Sequence, residues 1–166
     1  FGGSVSIDGD TMVVGAQLDD RDHPVAWNTN DTGSSSGSAY VFTRNIAGNL
    51  TSGWTQVAKL TADSGEFDRF GNRVSIDGDT VVIGAYGHGE GDYGADGPAA
   101  GYIPMDIGAV YVFTPDTAAS LQSRWTQTAK LTASHGAQLD QFRSDISTAG
   151  APSVVGAPYV SPHPST

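Results

Sequence analysis

The chain has 166 residues, with 18 acidic side chains against 8 basic ones, a formal net charge of −10 and no cysteine. The length suits one domain of ordinary size, and the sign of the charge excludes a nucleic-acid footprint. The missing cysteines exclude disulfides, thiolate metal sites and cysteine catalysis, and no apolar run approaches the length of a membrane span.

In chain order, Phe1-Gly2-Gly3 leads into an apolar run, Val5 to Ile7, and a second, Met12 to Ala16, follows Asp8-Gly9. Asp-Gly between apolar runs predicts a hairpin, with a type I′ turn that needs positive φ at both central residues. A long polar connection, 17–36, holds Asp19, Asp20, Asp22, Trp27, Asn28, Asn30 and Asp31. Ala39 to Phe42, β-branched and aromatic, reads as a third strand, and Val57 to Leu60, alternating with polar neighbours, as a fourth. The chain then begins again. Phe70 to Ala85 repeats Phe1 to Ala16, Gly108 to Thr114 repeats Gly37 to Thr43, and Trp125 to Ala133 repeats Trp54 to Ala62. The second long connection, 86–107, carries Tyr86, Glu90, Asp92, Tyr93, Asp96, Tyr102 and Asp106 among many glycines. Ala118 to Gln122 is the best helical candidate and is too short to stand alone. A third copy starts at Phe142 and reaches Gly156-Ala157-Pro158.

Repeats of this length indicate solenoids, propellers or arrays, and four strands per unit is the content of one propeller blade. The Phe-Gly opening and the Gly-Ala or Gly-Ala-Pro closing resemble the FG-GAP repeat, the blade unit of integrin-α-type β-propellers. The resemblance implies an all-β fold of β-propeller blades, each of four antiparallel strands. The units would be 1–69, 70–141 and a partial third, 142–166, in which Arg143 replaces the glycine and Ala149-Gly150-Ala151 replaces Asp-Gly-Asp. Phe1, Phe70 and Phe142 are expected to wedge between neighbouring blades, and Tyr40, Tyr111, Trp54 and Trp125 to pack between sheets. A closed propeller needs about 4–8 blades. The chain therefore reads as a piece of a longer polypeptide or as one subunit of an assembly that closes the ring. An open stack would leave apolar faces and strand edges exposed.

The resemblance also implies that the connections between second and third strands share one ligand-binding face with the linkers between blades. Asp19, Asp20, Asp22 and Asp31 in the first connection, and Glu90, Asp92 and Asp96 in the second, are candidate Ca²⁺ ligands. Hard cations take 6–8 oxygens from such loops; the competing reading is a solvated acidic loop. Trp27, Tyr86, Tyr93 and Tyr102 are candidate ligand contacts able to stack on sugar rings. Integrin-type repeats often bind Ca²⁺ in a D-x-D-x-D-G-like loop between strands one and two. Here only Asp8-Gly9-Asp10 and Asp77-Gly78-Asp79 stand there, so Asp8, Asp10, Asp77 and Asp79 read as turn formers.

Asn30-Asp31-Thr32 and Asn49-Leu50-Thr51 are N-glycosylation sequons at Asn30 and Asn49, and predict an extracellular or cell-surface protein. Three further matches fail their context tests. Gly89 to Gly94 fits G-x-G-x-x-G without a following helix. Gly33 to Gly37 fits G-x-S-x-G but leads into a strand. His23, His88, His135 and His163 lack metal-ligand spacing. The expected function is a non-enzymatic module for adhesive, protein–protein or structural contact. The alternatives are a carbohydrate-binding propeller and an accessory domain of a secreted hydrolase. Expected partners are a protein or glycan, or further blades that complete the ring, with no nucleic acid and no membrane insertion.

Overall fold

The computed structural model describes residues 1–19, 36–62, 68–87, 108–116, 125–132, 145–148 and 153–156. Among them the structure is all-β. The first sheet runs β1 (Ser4–Asp8), β2 (Thr11–Ala16), β3 (Ser38–Arg44) and β4 (Trp54–Leu60) in simple antiparallel order. The second repeats it with β5 (Phe70–Asp77), β6 (Thr80–Ala85), β7 (Ala109–Pro115) and β8 (Trp125–Leu131). β9 (Asp145–Thr148) and β10 (Ser153–Gly156) form a further antiparallel hairpin. Strand order equals chain order, so each sheet is a meander of the kind that makes a propeller blade. A β-bulge falls at Val41/Phe42 in one blade and at the equivalent Val112/Phe113 in the other.

The first hairpins differ from the expected turn. Asp8 pairs with Thr11, and Asp77 with Thr80, so the two central residues are Gly9-Asp10 and Gly78-Asp79. Gly9 and Gly78 have φ of 53° and 54°, while neither aspartate has positive φ. Positive φ at the first central residue alone is the II′ pattern, which places glycine there and leaves the second position open to aspartate.

The core lies between the two sheets. Val13, Val41, Ala58 and Leu60 of the first blade meet Phe70, Val74, Ile76, Val81, Ile83 and Tyr111 of the second. A smaller cluster joins Val82 and Val110 to Ile146 of the third unit. Phe70 is fully buried, its ring edge-on to Tyr111 at 5.4 Å and to Phe113 at 6.0 Å, which anchors the seam. Burial of a phenylalanine contributes about 1.5–3 kcal/mol. Phe1, at the same repeat position, rests on Tyr40 and Phe42 of its own sheet and is exposed on its other side. Trp54 lies beneath the Arg44 guanidinium at 4.3 Å, opposite it across β3 and β4, while Trp125 at the same repeat position packs against the core shared by the two sheets. Ala118 to Gln122 and Phe142 lie outside the described residues.

The blades approach closely because glycines face the seam. A Cβ on Gly15 would fall well inside contact distance of the Gly71 carbonyl oxygen, and one on Gly71 would collide with the Ser38 carbonyl. The glycine that opens the second repeat thus nests against the glycine that closes the first hairpin of the preceding one. Beside it, Gly37 forms a parallel bridge with Phe70.

Side chains stitch the same seam. The Ser4 hydroxyl accepts the Val74 N–H at 3.1 Å, Ser6 accepts Ile76 N–H at 3.1 Å, and Asp8 Oδ2 accepts Gly78 N–H at 2.6 Å. Val74 and Ile76 belong to β5, the edge strand of its sheet, and Gly78 to the turn that follows it. Side-chain oxygens therefore close a row of donors that would otherwise be an exposed template. Ser75 repeats the contact on the third unit, accepting Thr148 N–H at 3.1 Å.

Candidate functional site

Antiparallel pairing brings the long connections to one edge. Ala16 pairs with Ser38, Ala39 with Leu60, and Phe70 with Ala85, while Ala85 also pairs with Ala109. The segments between β2 and β3, β6 and β7, and β4 and β5 all spring from that edge. The short Gly9-Asp10 and Gly78-Asp79 turns lie at the opposite end.

The bases of these segments are tied together at the seam. Gly37 N–H donates to the Asp19 carbonyl at 2.8 Å, closing the mouth of the first connection. Phe70 N–H donates to the Ser36 carbonyl at 2.9 Å, and Asn72 Nδ2 donates to Gln17 Oε1 at 3.1 Å. Gly87 N–H donates to the Asp68 carbonyl at 3.1 Å, tying the second connection to the interblade linker. Arg69 has φ of 54°, the one positive value outside glycine among the described residues, and its guanidinium lies 4.6 Å from the Tyr86 ring centre. A left-handed non-glycine residue costs about 1–3 kcal/mol and persists where its surroundings over-determine it.

Of the acidic candidates, Asp19 is described. It accepts a short hydrogen bond from the Tyr40 hydroxyl and pairs with Lys59 Nζ at 3.4 Å. Burial pushes its carboxyl up, but the Tyr40 bond and the Lys59 charge outweigh that and hold it below the ordinary value. Burial and the neighbouring carboxylate together raise the Tyr40 phenol. Tyr40 and Lys59 are direct cross-strand partners, as are Tyr111 and Lys130 in the second blade. In both blades the lysine nitrogen lies over the tyrosine ring, at 5.8 and 5.5 Å. The repeated Tyr and Lys positions were visible in the sequence; Asp68, Arg69, Gln17 and Asn72 carried no such signal.

Tyr86 stands at the root of the second connection, against Arg69. Asp20, Asp22, Trp27, Asn30, Asp31, Glu90, Asp92, Tyr93, Asp96 and Tyr102 lie outside the described residues. Among the described residues no group of three His, Cys, Asp or Glu side chains converges on a metal position. Asn49 is exposed on the β3–β4 connection, where its Oδ1 accepts from Thr51 N–H at 3.0 Å and Thr51 Oγ1 at 2.8 Å.

The hairpin aspartates do more than form turns. Asp8 reaches the next blade, as above. Asp10 takes Arg44 Nε at 2.9 Å on one oxygen and Gly48 N–H at 2.8 Å on the other. Both oxygens of Asp10 are thereby committed within the protein.

The FG-GAP repeat matches residues 1–42, 54–113 and 125–165, so the chain belongs to the FG-GAP repeat family. The middle match runs from β4 of one sheet to β7 of the next, so the family's sequence unit straddles the seam. No curated protein matches the chain.

Proposed function

We propose that the chain is a non-enzymatic β-propeller module of an extracellular or cell-surface protein, and that it engages a protein or glycan through the edge carrying its long connections. One observation carries this reading: the strands of the two blades repeat closely and pair in the same order, while the longest connections, 17–36 and 86–107, where the two units differ most, are rooted at one edge. A scaffold repeated for stability with variable loops on one side is the usual division of labour in binding proteins. The motif residues are consumed by packing: Phe70 fills the core, and Gly15 and Gly71 set the blade spacing. The acidic connections would hold Ca²⁺ through Asp20, Asp22 and Asp31, or Glu90, Asp92 and Asp96, in oxygen-rich coordination. Asn30 and Asn49 would carry the glycans of a secreted protein.

The test is binding of the immobilised chain to arrays of extracellular proteins and of glycans, with and without Ca²⁺. A variant with 20–35 replaced by a short Asn-Gly turn serves as comparison. The expected result is binding to one class of target that the variant loses while its melting is retained. Binding untouched by replacement of either long connection, or turnover on glycoside and ester panels, would refute the reading.

A further inference from the structure

Asp-Gly pairs stand at both first-hairpin turns, Asp8-Gly9 and Asp77-Gly78; a further pair, Asp96-Gly97, lies outside the described residues. Such a pair carries an electrophile and a nucleophile on adjacent residues. The main-chain nitrogen of the glycine can close on the side-chain carbonyl carbon of the aspartate, and glycine, with no Cβ, puts the least bulk in the way. In a two-residue turn the ladder uses the flanking residues, here Asp77 and Thr80, and leaves the first central N–H without a ladder acceptor. Gly78 is also exposed, so water reaches the turn.

The neighbouring blade supplies the acceptor. Asp8 Oδ2 takes the Gly78 N–H at 2.6 Å, against roughly 2.9 Å for an ordinary N–H···O bond. One hydrogen bond thereby engages both reactive pairs. It holds the nucleophile of Asp77-Gly78 and the carboxyl group of Asp8-Gly9. The Asp8 carboxylate also opposes loss of the Gly78 amide proton, because the nitrogen anion would form beside a negative charge.

We propose that Asp77-Gly78 is a site of aspartate-to-isoaspartate rearrangement and that Asp8 guards it across the seam. In the rearrangement the Gly78 nitrogen attacks Cγ of the neutral Asp77 carboxyl. The N–C bond forms, the C–OH bond breaks, and the amide proton and the hydroxyl leave as one water. Water then opens the five-membered succinimide. Opening at the Asp77 main-chain carbonyl leaves the backbone running through Cβ and Cγ, with no net change of mass and no oxidant or reductant. The added backbone atom breaks the pairing of Asp77 with Thr80. The same event at Asp8 shortens its carboxyl arm by one carbon and withdraws it from Gly78, so damage at the first turn unguards the second. The proposal rests on the seam alone and stands whether or not the long connections bind a ligand.

The test incubates the whole 166-residue chain at physiological temperature and pH. Isoaspartate at position 77 is measured by peptide mapping with electron-transfer fragmentation, which separates the isomers at equal mass. The chain unfolded in guanidinium gives the unguarded rate. The unaltered protein is expected to convert at least about tenfold more slowly, the factor that one hydrogen bond to a charged group supplies. Asp8→Ala is expected to recover about that factor, with retained melting and near-ultraviolet dichroism verifying the fold. Asp8→Glu keeps a carboxylate within reach of Gly78 and is expected to stay protected. Ser6→Ala loosens the same seam at Ile76 without touching Gly78, and is expected to leave the rate at 77 unchanged. An unaltered protein that converts as fast as the unfolded chain, equal rates in Asp8→Ala and Asp8→Glu, or acceleration by Ser6→Ala as large as by Asp8→Ala would each overturn the proposal.

Discussion

Three glycines allow the seam to be measured by subtraction. Gly2 has positive φ and open space, Gly15 has ordinary φ and no space, and Gly71 has both constraints. Alanine at Gly2 should therefore cost only backbone strain, up to about 2 kcal/mol. Alanine at Gly15 should cost overpacking alone, about 1–3 kcal/mol, because its Cβ meets the Gly71 carbonyl rather than a side chain that could move. Gly71→Ala combines the two, at about 2–5 kcal/mol. To relieve the collision the blades must part, which stretches the nearby Ser4–Val74 bond, now 3.1 Å. The Gly15→Ala/Gly71→Ala pair should cost less than the sum of its members, because one opening of the seam serves both; contacting sites are not additive. Urea denaturation of dilute protein reads these losses directly. At a slope of about 2 kcal/mol per molar, a loss of 2 kcal/mol moves the midpoint by about 1 M. Equal losses at all three positions, or a neutral Gly15→Ala, would show that the blades do not meet as described.

Other contacts make separate predictions. Asp10→Ala strips the buried Arg44 side chain of its carboxylate and should cost about 1–3 kcal/mol. Asp79→Ala, with Pro115 in the place of Arg44, should stay within about 0.5 kcal/mol by the same melt. Ser6→Ala leaves the Ile76 N–H without its acceptor, an expected loss of about 1–3 kcal/mol, whereas Ser147→Ala should be near neutral in dilute protein. Asp19 is held below its ordinary value, so its contribution is complete above the unfolded carboxylate range near pH 4 and is lost as pH falls through the folded value. Stability of Asp19→Asn should accordingly converge on the unaltered protein in acid. Tyr40 should deprotonate above the ordinary tyrosine range in an ultraviolet titration and move back toward that range in Asp19→Asn.

The inner strand explains why so much of the fold was legible. Ser4-Val5-Ser6-Ile7-Asp8 alternates by two, and the period of a strand sends the two sets to opposite faces. Val and Ile face the preceding blade, and Ser, Ser and Asp face the following one, as Val74, Ile76 and Ser75 confirm. Hairpins, strand order and blade content followed from repetition and alternation. What the sequence concealed were contacts between residues far apart in the chain. That Ser6 meets Ile76, or Asn72 meets Gln17, depends on the angle between sheets, which no local pattern encodes. Asp8 and Asp10 looked like turn residues because they flank a glycine; their longer-range bonds need the neighbouring blade and the β3–β4 connection to be in place. The candidate ligand residues were chosen by composition, and composition does not fix loop geometry.

The anchored base of the first connection separates stability from recognition in a way that can be tested. Gly37 N–H meets the Asp19 carbonyl, and Asp19 is itself pinned by Tyr40 and Lys59, so the ends of the connection are held by groups outside it. The 16 residues between Asp19 and Ser36 are taken to contribute loop closure alone to stability. Cutting them to about 4 residues halves the loop roughly twice, a gain of about 1 kcal/mol, or about half that if the short loop is stiff. A chain shortened this way, with Asp19 and Ser36 kept, should melt at or slightly above the original temperature and should lose any target that the long connection recognises. Loss of cooperative melting would mean that the connection belongs to the core. Retention of binding would place recognition on the second connection or the linker. The same deletion extended through Asp19 should be destabilising, because it removes the acceptor of Gly37 N–H and leaves the Tyr40 hydroxyl and Lys59 without their common partner.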